Sequence, residues 1–139
     1  MAEQTYPEPA VGALIFNPEG NVFLMKSHKW HGKYVIPGGH IELGERMEDT
    51  VRREVKEETG LDVYAIEFIS FQEFIFDTVF WKKRHFIFFD FACKTKSKNV
   101  VLNDEAQEHC WASLAEALKM PVEPYTRKAI EAYIKKKGN

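Results

Sequence analysis

The chain has 139 residues, a formal net charge of −2 and a hydrophobic share of 45%. That length fits one domain, 1–139, with a real core, and the near-neutral charge speaks against a protein that grips a nucleic-acid polymer through a basic face. No apolar run approaches membrane-spanning length and no leader pattern opens the chain. Cys93 and Cys110 form no C-x-x-C pair, so the expectation is a cytoplasmic protein with reduced thiols and no membrane partner.

Residues 1–9, with Pro7 and Pro9, read as an irregular lead-in. Residues 10–16 read as a strand, Asn17-Pro18-Glu19-Gly20-Asn21 signals a turn, and residues 22–26 complete a hairpin. Residues 27–33 read as a polar loop, and Tyr34-Val35-Ile36 as a short extended piece ending at Pro37. Gly38 and Gly39 can take dihedrals closed to other residues and let main-chain oxygens approach a ligand or ion. A helix is predicted over about 46–59, with Gly60 suited to a left-handed cap. Residues 62–72 and 73–80 are rich in aromatic and β-branched residues and read as two strands. Residues 81–84 read as an exposed turn, 85–93 as a central strand and 94–99 as a charged loop. Residues 108–113 suit a last strand, and 114–119 and 125–137 two helices, the second with Pro124 near its start. Strands with helices at separated positions suggest a mixed central sheet with helices on both faces. Pattern alone leaves an ordinary α+β domain open.

The helix at 46–59 carries the chemistry. Residues three and four apart share a face, so Glu54, Glu57 and Glu58 crowd together. With Met47 as zero and about 100° per residue, Val51 falls near ~40° and Val55 near ~80°. Glu58 falls near ~+20°, Glu54 near ~−20° and Glu57 near ~−80°. Glu54 and Glu58 therefore flank the apolar stripe, while Glu48, Asp49, Arg52 and Lys56 form the solvated side. Carboxylates beside a buried stripe are costly unless paired or bound to metal, and a hard cation such as Mg²⁺ binds through a few carboxylates plus substrate phosphates. The blander reading is a solvated helix with i,i+4 pairs such as Arg53–Glu57.

The segment GHIELGERMEDTVRREVKEETGL, residues 39–61, places Gly39, Glu45, Arg53, Glu54, Val55, Glu57, Glu58, Gly60 and Leu61 at fixed spacings. This resembles the Nudix box, G-x5-E-x7-R-E-U-x-E-E-x-G-U with U aliphatic, at every specified position. Pro37-Gly38-Gly39 before the box, Glu42 within it, and the stretch from Asn103 through Trp111 to a terminal helix extend the resemblance over most of the chain. The resemblance implies an α/β/α sandwich and Mg²⁺- or Mn²⁺-dependent hydrolysis of a nucleoside diphosphate linked to another group. It implies metal binding by Glu54, Glu57 and Glu58, Glu58 the firmest, with the Gly39 main-chain oxygen as a further ligand. Gly38, Gly39, Glu42 and Glu45 belong to the binding loop, and Arg53 can hold Glu45 or Glu57 in place. Glu54 can instead be the general base, and Glu105 is a second base or ligand candidate. Some relatives carry an acid just before the Trp; Cys110 stands there, which rules out a base at that point.

The stretch LNDEAQEHCWASLAEAL with the later TRKAI is similar to the tail of a bacterial nucleoside triphosphatase subgroup of Nudix enzymes. The first expectation is thus cleavage of a nucleoside triphosphate to monophosphate and pyrophosphate. ADP-ribose, nucleotide sugars and dinucleotides stay open as substrates, although larger ADP-ribose hydrolases often carry an N-terminal domain for which this chain has no room. A non-catalytic nucleotide sensor is the second reading and a plain interaction domain the third. Aromatic strands at 66–93 can form a homodimer surface. Phe16, Tyr34, Phe74, Phe76, Trp81 and Phe86 are candidates to stack on a base, though most are expected in the core. His28, His31 and His40 lack metal-ligand spacing, and His40 is best placed to touch a phosphate.

Overall fold

The computed structural model describes residues 3–138; Met1, Ala2 and Asn139, which open the lead-in and close the predicted span, lie outside the described residues. Strands β1 (Glu8–Phe16), β2 (Val22–Ser27), β3 (Lys33–Val35), β4 (Gly38–His40), β5 (Tyr64–Ile75), β6 (His85–Lys94) and β7 (Glu108–Ala112) form one mixed sheet. The helices are α1 (Met47–Thr59), α2 (Leu114–Lys119) and α3 (Pro124–Lys137). The strand path is β3-β2-β1-β6-β5, with β4 added to β1 and β7 to β2.

Strand alternation puts successive side chains on opposite faces, and two cores result. Val11, Ala13, Ile15, Phe23 and Met25 face Val51 and Val55 of α1. Leu14, Phe16, Leu24 and Ala92 face Ala117 of α2 and Ile130 of α3. The predicted mixed sheet, with a helical layer on each face, is what forms.

One feature of the sheet makes room for a site. β1 pairs in parallel with β6 along its whole length, Glu8↔Phe86 to Phe16↔Lys94. Its other edge is shared: Ala10, Val11 and Gly12 pair with β4, and Phe16 pairs with Val22 of β2. The sheet therefore opens between β2 and β4, and a cleft enters there.

Several boundaries differ from the sequence expectation. Strand β1 begins at Glu8, inside the expected lead-in, because parallel pairing to β6 starts at that residue. Ser27 extends β2, and within the expected loop His28–Trp30 forms a 3₁₀ turn whose Lys29 amide donates to Ser27 Oγ at 3.2 Å. Gly38–His40 is a strand that glycine's low β-propensity hides, held by its ladder to β1. The two strands expected at 62–72 and 73–80 are one, β5. Its pairing with β6 runs through Gln72↔Phe88 and Glu73↔Ile87 without a break. The chain reverses later, where Phe76 takes φ 52°, its amide donates to the Arg84 carbonyl at 2.9 Å, and Asp77 accepts from the Val79 amide at 3.1 Å. Among the described residues no helix is long and apolar enough to cross a membrane, and both cysteine thiols are free.

Phe23 is fully buried on β2 and meets Trp111 of β7 edge-on at 5.4 Å. Phe23→Ala should cost about 3–5 kcal/mol of stability, read as a lower denaturant midpoint at unchanged slope.

Candidate active site

Helix α1 sets the site. Val51 and Val55 are fully buried against the sheet, and this anchoring turns the adjoining acids inward. The helix ends at Gly60, whose φ of 76° is a left-handed cap and whose amide donates to the Lys56 carbonyl at 2.9 Å. Glu58, two residues before that cap, is only 4% exposed, and its Oε2 is buried without a hydrogen-bond partner. Burial pushes the Glu58 carboxyl far above the usual carboxylate range; contact with the Glu54 side chain and the charge of Glu105 push it the same way, and the Gly38 main chain pulls against them.

Glu54 lies against the Gly-Gly strand. A Cβ on residue 39 would overlap the Glu54 carboxylate, and a Cβ on residue 38 would overlap the Val11 carbonyl oxygen. At residue 38 the obstacle is main chain, which only glycine tolerates; at residue 39 it is the Glu54 carboxylate, which a larger residue would displace from the Arg53 guanidinium.

Arg53 organises the remaining acids of the box. Its Nε donates to Glu45 Oε2 at 2.7 Å and its Nη2 to Glu45 Oε1 at 3.0 Å, a two-point clasp. Its Nη1 donates to Glu54 Oε1 at 2.9 Å and reaches Glu57 at 3.4 Å. Its Nη2 also donates to the His40 carbonyl at 3.0 Å, and Glu42 sits 3.3 Å from Nε. Glu45 additionally accepts from the Glu42 amide at 3.1 Å and from Thr50 Oγ1 at 2.7 Å. These donors, Arg53 foremost, hold the Glu45 carboxyl down to about 2. Glu57 is more open than Glu54 and Glu58, its side chain 53% exposed.

The other residues singled out from sequence are spread around the cleft. Glu105 accepts from Lys29 Nζ through both oxygens, at 2.9 and 2.8 Å. Lys29 also stands 5.8 Å from the Trp81 ring, and its carbonyl accepts from the Trp81 amide at 2.8 Å, tying the 76–84 turn to the cleft rim. His40 is paired to Glu8 at 2.8 Å. Among the aromatic candidates, Phe16 and Phe74 are core residues. Tyr34 reaches Glu108 at 3.4 Å, while Phe76 and Trp81 are exposed. Phe86 alone of the six lines the cleft.

Glu54, Glu57, Glu58, Arg53, Gly38, Gly39, Glu42 and Glu105 all border one cavity of about 500 Å³. Sequence reasoning did not single out Lys29, Gln72, Asp90 or Glu123, which border it too. Burial pushes Asp90 up to about 7, against a lowering bond from Gln72. Burial likewise pushes Glu123 up to about 7, with bonds from Thr126 opposing and the Asp90 charge adding.

The donor set suits a hard divalent cation. Among the described residues no three acidic, histidine or cysteine side chains gather closely enough to enclose a metal by themselves. Instead there are two adjoining carboxyls, one with an unpartnered buried oxygen, under a strand stripped of side chains. That is an open half-shell, the kind Mg²⁺ completes with water and substrate phosphates.

Comparison with known proteins agrees with this geometry. The NUDIX domain family model matches residues 6–133. The nucleoside triphosphatase NudI of Escherichia coli K12 is 29% identical over 105 residues, covering 71% of this chain and 74% of its own. A MutT protein from Methanosarcina mazei Go1 superimposes with a TM-score of 0.80 at 26% identity, covering 99% of this chain and all of the other. The NUDIX domain of Shewanella oneidensis NrtR, solved with ADP ribose, gives 0.79 at 20% identity over 96% and 90% of the two chains, a likeness of fold alone. The chain belongs to the Nudix family. It is a MutT-like hydrolase of phosphoric anhydride bonds in nucleoside diphosphate derivatives.

The clasp on Glu45 has a pH signature. Its folded value lies below the ordinary 4.5, so its stabilisation is complete above about 4.5 and disappears as pH falls toward about 2. Denaturant midpoints measured from pH 6 to pH 2 should fall less steeply for Glu45→Gln than for the unaltered protein.

Proposed function

We infer that the chain is a Mg²⁺- or Mn²⁺-dependent pyrophosphohydrolase that converts a nucleoside triphosphate to the monophosphate and pyrophosphate. The observation that carries this reading is the buried, unpartnered Glu58 oxygen beside Glu54, facing the glycine strand across a cleft large enough for a nucleotide. The name of the NudI relative supports the triphosphate.

The residues divide the work by position. Glu58 and Glu54 hold the cation from the helix, with the Gly39 main-chain oxygen on the strand side and Glu57 at the open rim. When bound, the cation neutralises phosphate charge and makes water acidic enough to attack at neutral pH. Arg53 spends its guanidinium on Glu45, Glu54 and the His40 carbonyl, so it positions acids rather than touching substrate. Glu42 and Glu45 keep the binding loop against the helix through that same cation. Glu54 and Glu105 are the two acids placed to take the proton of the attacking water. Glu105 stands at the cleft wall, paired to Lys29 Nζ at 2.8 Å.

The substrate is a small nucleotide rather than a nucleic-acid polymer, in keeping with the net charge of −2. Phe68, Phe71 and Ile75 stand exposed on β5, the outer strand of the sheet, and we assign them to a homodimer contact.

Glu58→Gln and Glu57→Gln should each lower turnover by about 10²–10⁴-fold. The assay is phosphate and pyrophosphate release over a panel of nucleoside triphosphates, ADP-ribose, a nucleotide sugar and a dinucleoside polyphosphate, with and without Mg²⁺ and Mn²⁺. Near-normal turnover by either variant at saturating Mg²⁺ would overturn the assignment, and binding without turnover under any cation would favour a sensor.

A further inference from the structure

Negative charge crowds the cleft. Glu54, Glu57, Glu58 and Glu105 border it together, and the described residues around it include one arginine, Arg53, and one lysine, Lys29. Arg53 is fully engaged. Its five N–H groups meet Glu45 twice, the His40 carbonyl, Glu54 and Glu57. Nothing of that fork is left for a ligand. Lys29 is placed differently. Its Nζ donates to both oxygens of a single acid, Glu105, at 2.9 and 2.8 Å, and its side chain stays 29% exposed.

The main chain at Lys29 is pinned, whereas its stem is not. The Lys29 amide donates to Ser27 Oγ at 3.2 Å, and its carbonyl accepts from the Trp81 amide at 2.8 Å. Beyond the Cα a flexible four-carbon stem ends in a compact charge with rotatable donors, so the ammonium can change partner while the wall stays still. Glu105 is a weak hold, because an ion pair this open to water contributes little. A polyphosphate offers more negative charge than one carboxylate, and lysine binds phosphate as a point charge. The pair also lies close to the helix acids, since the charge of Glu105 acts on the Glu58 carboxyl.

We propose that Lys29 is a phosphate-gripping residue parked on Glu105: when a polyphosphate enters, its ammonium leaves the carboxylate for a phosphate oxygen. This rests on the nucleotide reading above and adds the cation that meets the phosphate charge a divalent ion leaves uncancelled. The exchange has a second consequence. Both Glu105 oxygens bond Lys29, and the departure of the ammonium uncovers them. An acid placed to take a proton from water is thereby released by the substrate itself.

The test is titration calorimetry of the full chain with methylenediphosphonate, a pyrophosphate analogue that resists cleavage, in the presence of Mg²⁺. Lys29→Gln should weaken binding at least about tenfold. Losing Lys29 also leaves Glu105 to repel the probe, so the decisive comparison is made in Glu105→Gln. That variant should bind the probe at least as tightly as the unaltered chain, and adding Lys29→Gln to it should again cost at least about tenfold. If Lys29 merely screened Glu105, the loss would vanish once the carboxylate is gone. Circular dichroism and the thermal transition confirm that each variant is folded. Binding unaffected by Lys29→Gln in either background, weaker binding by Glu105→Gln, or no binding of the probe by the unaltered chain would overturn the proposal. Absence of turnover with nucleoside triphosphates and metal would sink the hydrolase reading alone, because the affinities are read without catalysis.

Discussion

The structure depends on two carboxyl groups being held where water cannot separate them. Glu54 and Glu58 follow one another on α1, and the helix is fixed by Val51 and Val55 in the core, so neither acid can swing away without unpacking the layer. Close like charges in a site this buried share a proton or take a cation. Everything around them restricts the choice: Arg53 already spreads its charge over Glu45, Glu54 and Glu57, and Lys29 is committed to Glu105. The Glu58 oxygen left over has no protein donor.

The sheet supplies the space. Because β1 lends one edge to both β4 and β2, the layer parts between them and the helix acids look into a cavity instead of a packed seam. The same parting carries the cavity past Phe86 and Phe88 to the start of α3. One groove therefore joins an acidic end to an aromatic end rimmed with acceptors. A nucleotide has the same two-part character, anionic phosphates at one end and a flat ring at the other.

Local sequence carried a large share of this. The helical angles of Glu54 and Glu58 against Val51 and Val55 foretold which acids turn inward, and Glu58 is indeed buried while Glu57 is open. The long β5 was less legible, because aromatic and β-branched residues continue past Ile75 and the reversal rests on a positive φ at Phe76, which composition does not announce. Strand β4 was hidden for the opposite reason: two glycines pair through the backbone alone. Least legible were Lys29 with Glu105 and Gln72 with Asp90 and Glu123. The first pair is 76 residues apart, and Gln72 reaches the Tyr125 carbonyl across 53. Contacts across such separations leave no period or spacing in the chain. A polar residue in a strand rich in phenylalanine, such as Asp90, was the one available hint.

The most direct test of the paired-acid account is the thermal transition of the protein without nucleotide, recorded as Mg²⁺ or Mn²⁺ is added. A cation that relieves the Glu54–Glu58 conflict binds the folded form alone and must raise the midpoint. The account predicts a saturable rise for the unaltered chain and none for Glu58→Gln. A midpoint indifferent to either ion, or an equal rise in both proteins, would contradict it.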